Sequence, residues 1–307
     1  MKSLYRLACL WALLPAAAAA QDPAPANNAI VVTAQRSGAP MWTIETTSGT
    51  VILVGDIVAI PKVTPWYPDR LEQASARANR VIVTDRPVIS AGDFFRLMFK
   101  GGRLLHLPKG KTAADYLTPE QLGRLTALGT LYKQDYSRSA FTMTAIDLLA
   151  DRLDFDDDIT DASALAEEAA DDADVPIIFV ERFKGSKHVD RMFAMSPESG
   201  IPCLEAAMTA AEIGPSVMTA RVDAWRRFDI PGVIANPLEV ALGSCFPWSD
   251  PELGQEARKL WTDAVATALG EVGVTVAVVP LRVLAEPEGV LDQLDARGFD
   301  ISGPEWK

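Results

Sequence analysis

The sequence predicts an α/β fold: a central sheet of short buried strands with many helices around it. Three observations carry this. Short apolar runs rich in Val and Ile stand at residues 50–54, 80–84, 176–180 and 274–279. Long stretches with helical start and stop signals separate them, as in chains that wrap helices around a sheet. No segment recurs at a fixed period, so a repeat array is not indicated.

Each element follows in order. Trp42-Thr43-Ile44 and the run from Thr50 to Val54 are β-rich and split by Thr47-Ser48-Gly49, which reads as a hairpin. Pro68-Asp69 opens a helix expected to reach Asn79, and residues 80–84 are expected to form a buried strand. Strand, helix and strand at this spacing make a βαβ unit. Thr118-Pro119-Glu120-Gln121 offers an N-cap, a proline at the first helical position and a capping-box Gln, opening helices that should run to about Leu153. The acidic run 154–158 reads as a turn, and residues 162–173 as a helix before the strand at 176–180. Residues 197–243 read as helices. Ser249-Asp250-Pro251-Glu252 is read as a second capping box, starting a helix to about Gly270. Residues 274–279 are the last buried strand, and residues 287–298 a final helix ending at Gly298.

The N-terminus predicts export. A cationic start with Lys2 and Arg6 leads into an apolar core, Leu7 to Pro15, and then a run of alanines before Gln21. That is the three-part layout of a cleavable secretion signal over residues 1–20. Residues 21–38, rich in Pro, Ala, Asn and Ser, read as a flexible leader, and residues 39–307 as the folded domain. The apolar run near Val272 is strand-sized, and no transmembrane segment is expected in the mature chain. The location expected is periplasmic or secreted.

Charge and cysteines narrow the classes. The chain has 29 Lys and Arg against 41 Asp and Glu, a net charge of −12, and loss of Lys2 and Arg6 makes the mature form more acidic still. An acidic surface repels phosphate backbones and anionic lipid, so nucleic acid is not an expected partner. Of three cysteines, Cys9 lies in the signal; Cys203 and Cys245 are read as a disulfide, since paired cysteines persist in an oxidising compartment. Such a bond would be worth about 4 kcal/mol in the chain-entropy model.

Familiar catalytic motifs are scarce. No Gly-x-Ser-x-Gly elbow and no His-Glu-x-x-His pair occurs. Gly110-Lys111-Thr112 has the tail of a phosphate loop, but the opening glycine is replaced by Leu105, so it reads as a solvated turn. Only His106 and His188 are present, neither with a second ligand at metal-binding spacing. The acidic run 154–158 lacks the glycine and spacing of a calcium loop.

The segment Val51-Ile52-Leu53-Val54-Gly55-Asp56-Ile57-Val58, with Ile60-Pro61 after it, resembles the opening of the TraB/GumN family, the group related to the TIKI metalloproteases. Leu107-Pro108-Lys109-Gly110-Lys111-Thr112 and the closing stretch 287–299 resemble further family segments, and the resemblance spans about Pro40 to Pro304. It implies a divalent metal site for hydrolysis, held by a His after the first strand pair, a Glu ending the next strand and a late His. Here those positions carry Val58, Thr84 and Val283, and the family's Arg-Asn pair falls on Ala257-Arg258. Methyl groups and one hydroxyl do not hold a hard or borderline cation.

The expectation is therefore a divergent member, a pseudoenzyme with no cofactor. It would bind or scaffold an envelope protein or peptide around a vestigial pocket of Gly55, Asp56, Val58, Thr84, Asp85, Arg282 and Val283. The alternative is a hydrolase or peptidase, metal-dependent as the family is, with a site rebuilt on Asp56 and Asp85. Asp56 lies two residues before Val58 and would share its face in an extended strand.

Overall fold

The computed structural model describes residues 38–61, 64–84, 96, 101–153, 159–180 and 185–307. The expected secretion signal, the expected leader up to Ser37, Asp85 and the acidic run 154–158 lie outside these residues.

The expected hairpin forms first. β1 (Met41–Glu45) pairs antiparallel with β2 (Gly49–Asp56), Trp42 opposite Leu53. Thr46 closes the turn, its Oγ1 accepting from the amides of Ser48 and Gly49. After a short β3 (Ile60–Pro61), helix α1 (Asp69–Arg77) leads into β4 (Arg80–Thr84). β2 and β4 are parallel, as a βαβ unit requires, yet they are not neighbours. β7 (Gly273–Pro280), from the far end of the chain, lies between them and pairs parallel with both. β6 (Ile177–Val180) extends the sheet beyond β4, and β8 (Ile301–Ser302) closes the other side against β1. The order is β6-β4-β7-β2-β1-β8, while β3 pairs separately with β5 (Ile159–Thr160). β7 is buried at five consecutive positions, Thr275 to Val279, as a parallel strand covered on both faces should be.

Helices fill the remainder. α2 (Gly102–Leu105) is followed by a 3-10 turn, Ala113–Asp115, where Lys111 pairs with Asp115 at 3.0 Å, so the expected solvated turn is what forms. α3 (Pro119–Tyr132) has the predicted capping box: the Gln121 amide donates to Thr118 Oγ1, and the Thr118 amide to Gln121 Oε1. α4 (Phe141–Leu153), α5 (Ala162–Asp172) and α6 (Gly185–Ala194) follow, with β6 between the last two.

Next come α7 (Ile201–Ile213), α8 (Ser216–Arg226), α9 (Ile230–Ile234) and α10 (Pro237–Ser244). Cys203, on the first turn of α7, and Cys245, capping α10, form a disulfide of 2.04 Å with Cα atoms 4.6 Å apart, 42 positions apart in sequence. α11 (Pro251–Leu269), α12 (Leu281–Ala285) and α13 (Val290–Ala296) complete the chain.

The cap of α11 differs from expectation. Asp250, not Ser249, accepts from the amides of Glu252 and Leu253. With Pro251 at the first helical position, the side chain just before it is the one aimed at the next free amides. The final helix starts three residues later than predicted, after Gly289, whose amide donates to the Glu286 carbonyl in a preceding turn.

The main core joins both faces of the sheet to α1, α5 and α7–α13, with Trp42, Trp225, Ile44 and Leu53 fully enclosed. A smaller core under α3, α4 and α7 is built on Leu125, Phe141, Leu148, Leu204 and Met208. Among the described residues no helix is long and apolar enough to cross a membrane.

Candidate functional site

Because β2, β7, β4 and β6 are parallel, their carboxyl ends share one edge of the sheet. The pairing sets Asp56 opposite Pro280, and Thr84 opposite Val180. Ligands of open α/β sheets bind at such edges. Gly55, Asp56, Val58, Thr84, Arg282 and Val283 all lie at or just beyond it.

Their side chains nevertheless differ in exposure. Val58 is 54% exposed, whereas Val283 is buried in the main core. Thr84 is half-buried at the end of β4. The same-face relation expected of Asp56 and Val58 assumes a continuous strand, but β2 ends at Asp56 and Val58 lies beyond it. Space at Gly55 is tight: a Cβ there would lie 2.7 Å from Leu281 Cδ1 and 3.1 Å from the Trp42 ring, so those side chains would have to shift.

A chain of charged groups, of which the sequence assigns only Arg282 to the pocket, fills this edge. Glu239 of α10 is buried and accepts hydrogen bonds from Arg221 of α8 and Arg282 of α12, the latter at 2.9 Å. Arg282 also pairs with Glu286, which meets Arg258 of α11 at 3.3 Å. The result is an alternating chain, Arg221–Glu239–Arg282–Glu286–Arg258. Arg221, only 1% exposed, donates from Nη1 to the Val58 carbonyl at 2.8 Å. One turn along α8, Trp225 Nε1 donates to the Gly55 carbonyl at 2.8 Å. The polar groups where β2 ends are therefore satisfied by the helices that the disulfide brackets. Burial opposes ionisation of Glu239, but the charges and hydrogen bonds of Arg221 and Arg282 outweigh it and hold the carboxyl below its ordinary range.

Asp56 behaves in the opposite way. It is half-buried, and its carboxylate accepts from the Ala162 amide at 3.0 Å, at the start of α5. Desolvation pushes its pKa up to about 8, and the charge of Asp161 adds to this; the Ala162 and Ile57 amides and the Arg221 cation only partly offset it. With a pKa near 8 the group can give or take a proton near neutral pH.

A divalent cation does not fit these residues. The three positions that resemble ligand positions offer methyl groups and one hydroxyl, and the acids Glu239 and Glu286 at the same edge are already paired with Arg221, Arg282 and Arg258. Among the described residues no group of three His, Cys, Asp or Glu side chains is placed to hold a metal. The histidines lie elsewhere: His106 forms an isolated bridge with Ser139, and His188 packs edge-on against Phe246 with centroids 5.8 Å apart.

Fold and edge together define an α/β protein whose mainly parallel sheet ends in a helix-borne lattice of arginines and glutamates. The chain belongs to the TraB/PrgY/gumN family, whose profile matches residues 40–303. No curated protein and no solved structure matches it.

Arg221, Trp225, Glu239 and Glu286 were the site residues that sequence reasoning missed. A signal existed: Glu239 is the lone charge in Pro-Leu-Glu-Val-Ala-Leu-Gly-Ser. A charge within an apolar helix calls for a buried partner.

Proposed function

We propose that this chain is an exported envelope protein that binds or scaffolds a partner, a protein or peptide, and has given up the metal-dependent hydrolysis its family resemblance implies. The observation that carries this is the pairing of Val58, Thr84 and Val283 at ligand positions with the Arg221–Glu239–Arg282 chain at the same edge. A fixed guanidinium beside Val58 disfavours a dication there by charge repulsion. Export, to the periplasm or beyond, is supported by the pattern of residues 1–20 and by the Cys203–Cys245 bond, which suits an oxidising compartment.

Metal analysis of the purified mature protein, after dialysis against zinc, manganese and cobalt in turn, tests the proposal. Metal well below one per chain, without cleavage of a peptide panel, is expected. Stoichiometric metal with peptidase activity would end it.

A second reading is favoured by one observation, the Asp56 pKa near 8, which suits acid–base work at neutral pH. In that reading Asp56, with Asp85, forms a rebuilt hydrolytic site. Asp56→Asn would then abolish an activity on esters or peptides without lowering the melting temperature. Activity that survives the substitution excludes it.

A further inference from the structure

Away from the sheet edge, a groove of about 1070 Å³ opens between α4, α6 and the segments around His106 and Arg138. It is at the upper end of the size range of small-molecule sites. Its apolar lining includes Met143 and Ile146 of α4, Met192 and Phe193 of α6, and Met195 and Phe246. None of these six is buried, and Ile146 is 49% exposed. Three methionines in one groove give an adaptable apolar wall, suited to a flexible chain rather than a rigid ring system.

Basic groups gather on the same groove. His106 bridges Ser139, and the Leu107 amide donates to the Arg138 carbonyl at 2.9 Å. This short ribbon sets His106, Lys109 and Arg138 near one another, all exposed. Among the described residues of the lining the one acid is Asp135, whose carboxylate accepts from the Ser137 amide at 2.9 Å. A basic rim beside an apolar wall is unusual on a chain of net charge −12. It complements a ligand with an apolar body and an anionic end. A peptide bearing several acids would meet the repulsion of the whole chain at each of them, whereas one carboxylate within a screening length of Lys109 and Arg138 meets mainly their attraction.

We infer that this groove binds a single-chain amphiphile with one carboxylate head, a long-chain fatty acid, with its tail along Met143, Ile146, Met192 and Phe193 and its head at Lys109 and Arg138. The site shares no residue with the sheet edge, so it stands or falls separately from the function proposed above.

Calorimetric titration of the mature protein with dodecanoate, below the concentration at which dodecanoate aggregates, tests it. Saturable one-to-one binding is expected. Two variants, the Lys109→Glu/Arg138→Glu pair and Ile146→Glu, should each weaken it by about tenfold or more, the loss expected of one charge-assisted contact or of a charge set in the tail's path. Dodecyltrimethylammonium, with the same tail and the opposite head, should bind more weakly than dodecanoate. Val272→Glu, at a position 83% exposed and outside the groove, should bind like the parent. Should a charge variant fail to fold, Ile146→Gln replaces it. Absence of saturable binding, equal affinity for the cationic amphiphile, unchanged affinity in the groove variants, or tighter binding of an acidic peptide would each overturn the inference.

Discussion

Glu239 is the point at which the edge of the sheet is most vulnerable. Glu239→Gln keeps the shape and removes the charge, leaving the enclosed Arg221 guanidinium and that of Arg282 without their shared counter-ion. Arg282 retains Glu286, but Arg221 keeps only the Val58 carbonyl and the weak Met218 sulfur contact as other described acceptors. Breaking a buried ion pair from one side costs about 3–5 kcal/mol, because the stranded charge has neither water nor partner. At about 2–4 °C per kcal/mol for a large domain, the melting temperature should fall by about 6–20 °C. Thermal and urea unfolding, followed by circular dichroism, read this directly.

A second arm separates charge from packing. Combining Glu239→Leu with Arg221→Met removes both charges, and should recover much of the loss, since apolar replacement of a buried pair is often neutral. The effect must also depend on pH. The folded Glu239 carboxyl lies below its ordinary 4.5, so its stabilising contribution is present above that value and is lost as pH falls through the lower, folded one. A loss under about 1 kcal/mol for Glu239→Gln at neutral pH, where surface pairs fall, would refute the reasoning. So would a double variant as unstable as the single one.

Two further outcomes follow from neighbouring features. Asp56 has a folded pKa raised from 3.8 to about 8, so its contribution is intact below pH 3.8 and is lost as pH rises toward and through 8. Asp56→Asn, which can still accept from the Ala162 amide, should leave stability unchanged near pH 4 and add about 2 kcal/mol at pH 8, discounted from a larger ceiling because the side chain is only half-buried. Urea midpoints across that range measure it. Replacing Cys203 and Cys245 together by alanine should cost about 4 kcal/mol, and a reductant should lower the melting temperature of the parent but not of the variant.

The strands were legible because each is an apolar run between turn signals. Residues 80–84 and 274–279 fall within a residue of β4 and β7, and Thr118 caps α3 as its spacing requires. Spatial order was not legible. Nothing local in Val276 to Val279 tells the chain to insert between β2 and β4, because that choice depends on which helices cover each face. The site was half legible for a similar reason. Gly55, Asp56 and Arg282 are marked by their position at strand ends, but Arg221 and Glu239 sit 18 residues apart and meet Arg282 only after α8, α10 and α12 have packed. That Val58 is exposed while Val283 is buried was hidden as well, since where β2 ends decides whether Val58 belongs to the sheet.

The placement of β7 also bears on when the protein can acquire its shape. Val51 pairs with Thr275, and the Trp42 indole donates to the Pro304 carbonyl, a contact spanning 262 positions. Neither partnership is available to a growing chain until nearly its last residues have emerged, and topologies dominated by such distant pairings assemble slowly. A nascent polypeptide of this design holds β2 without its parallel neighbour until residues 273–280 have been made, so the centre of the sheet closes only then.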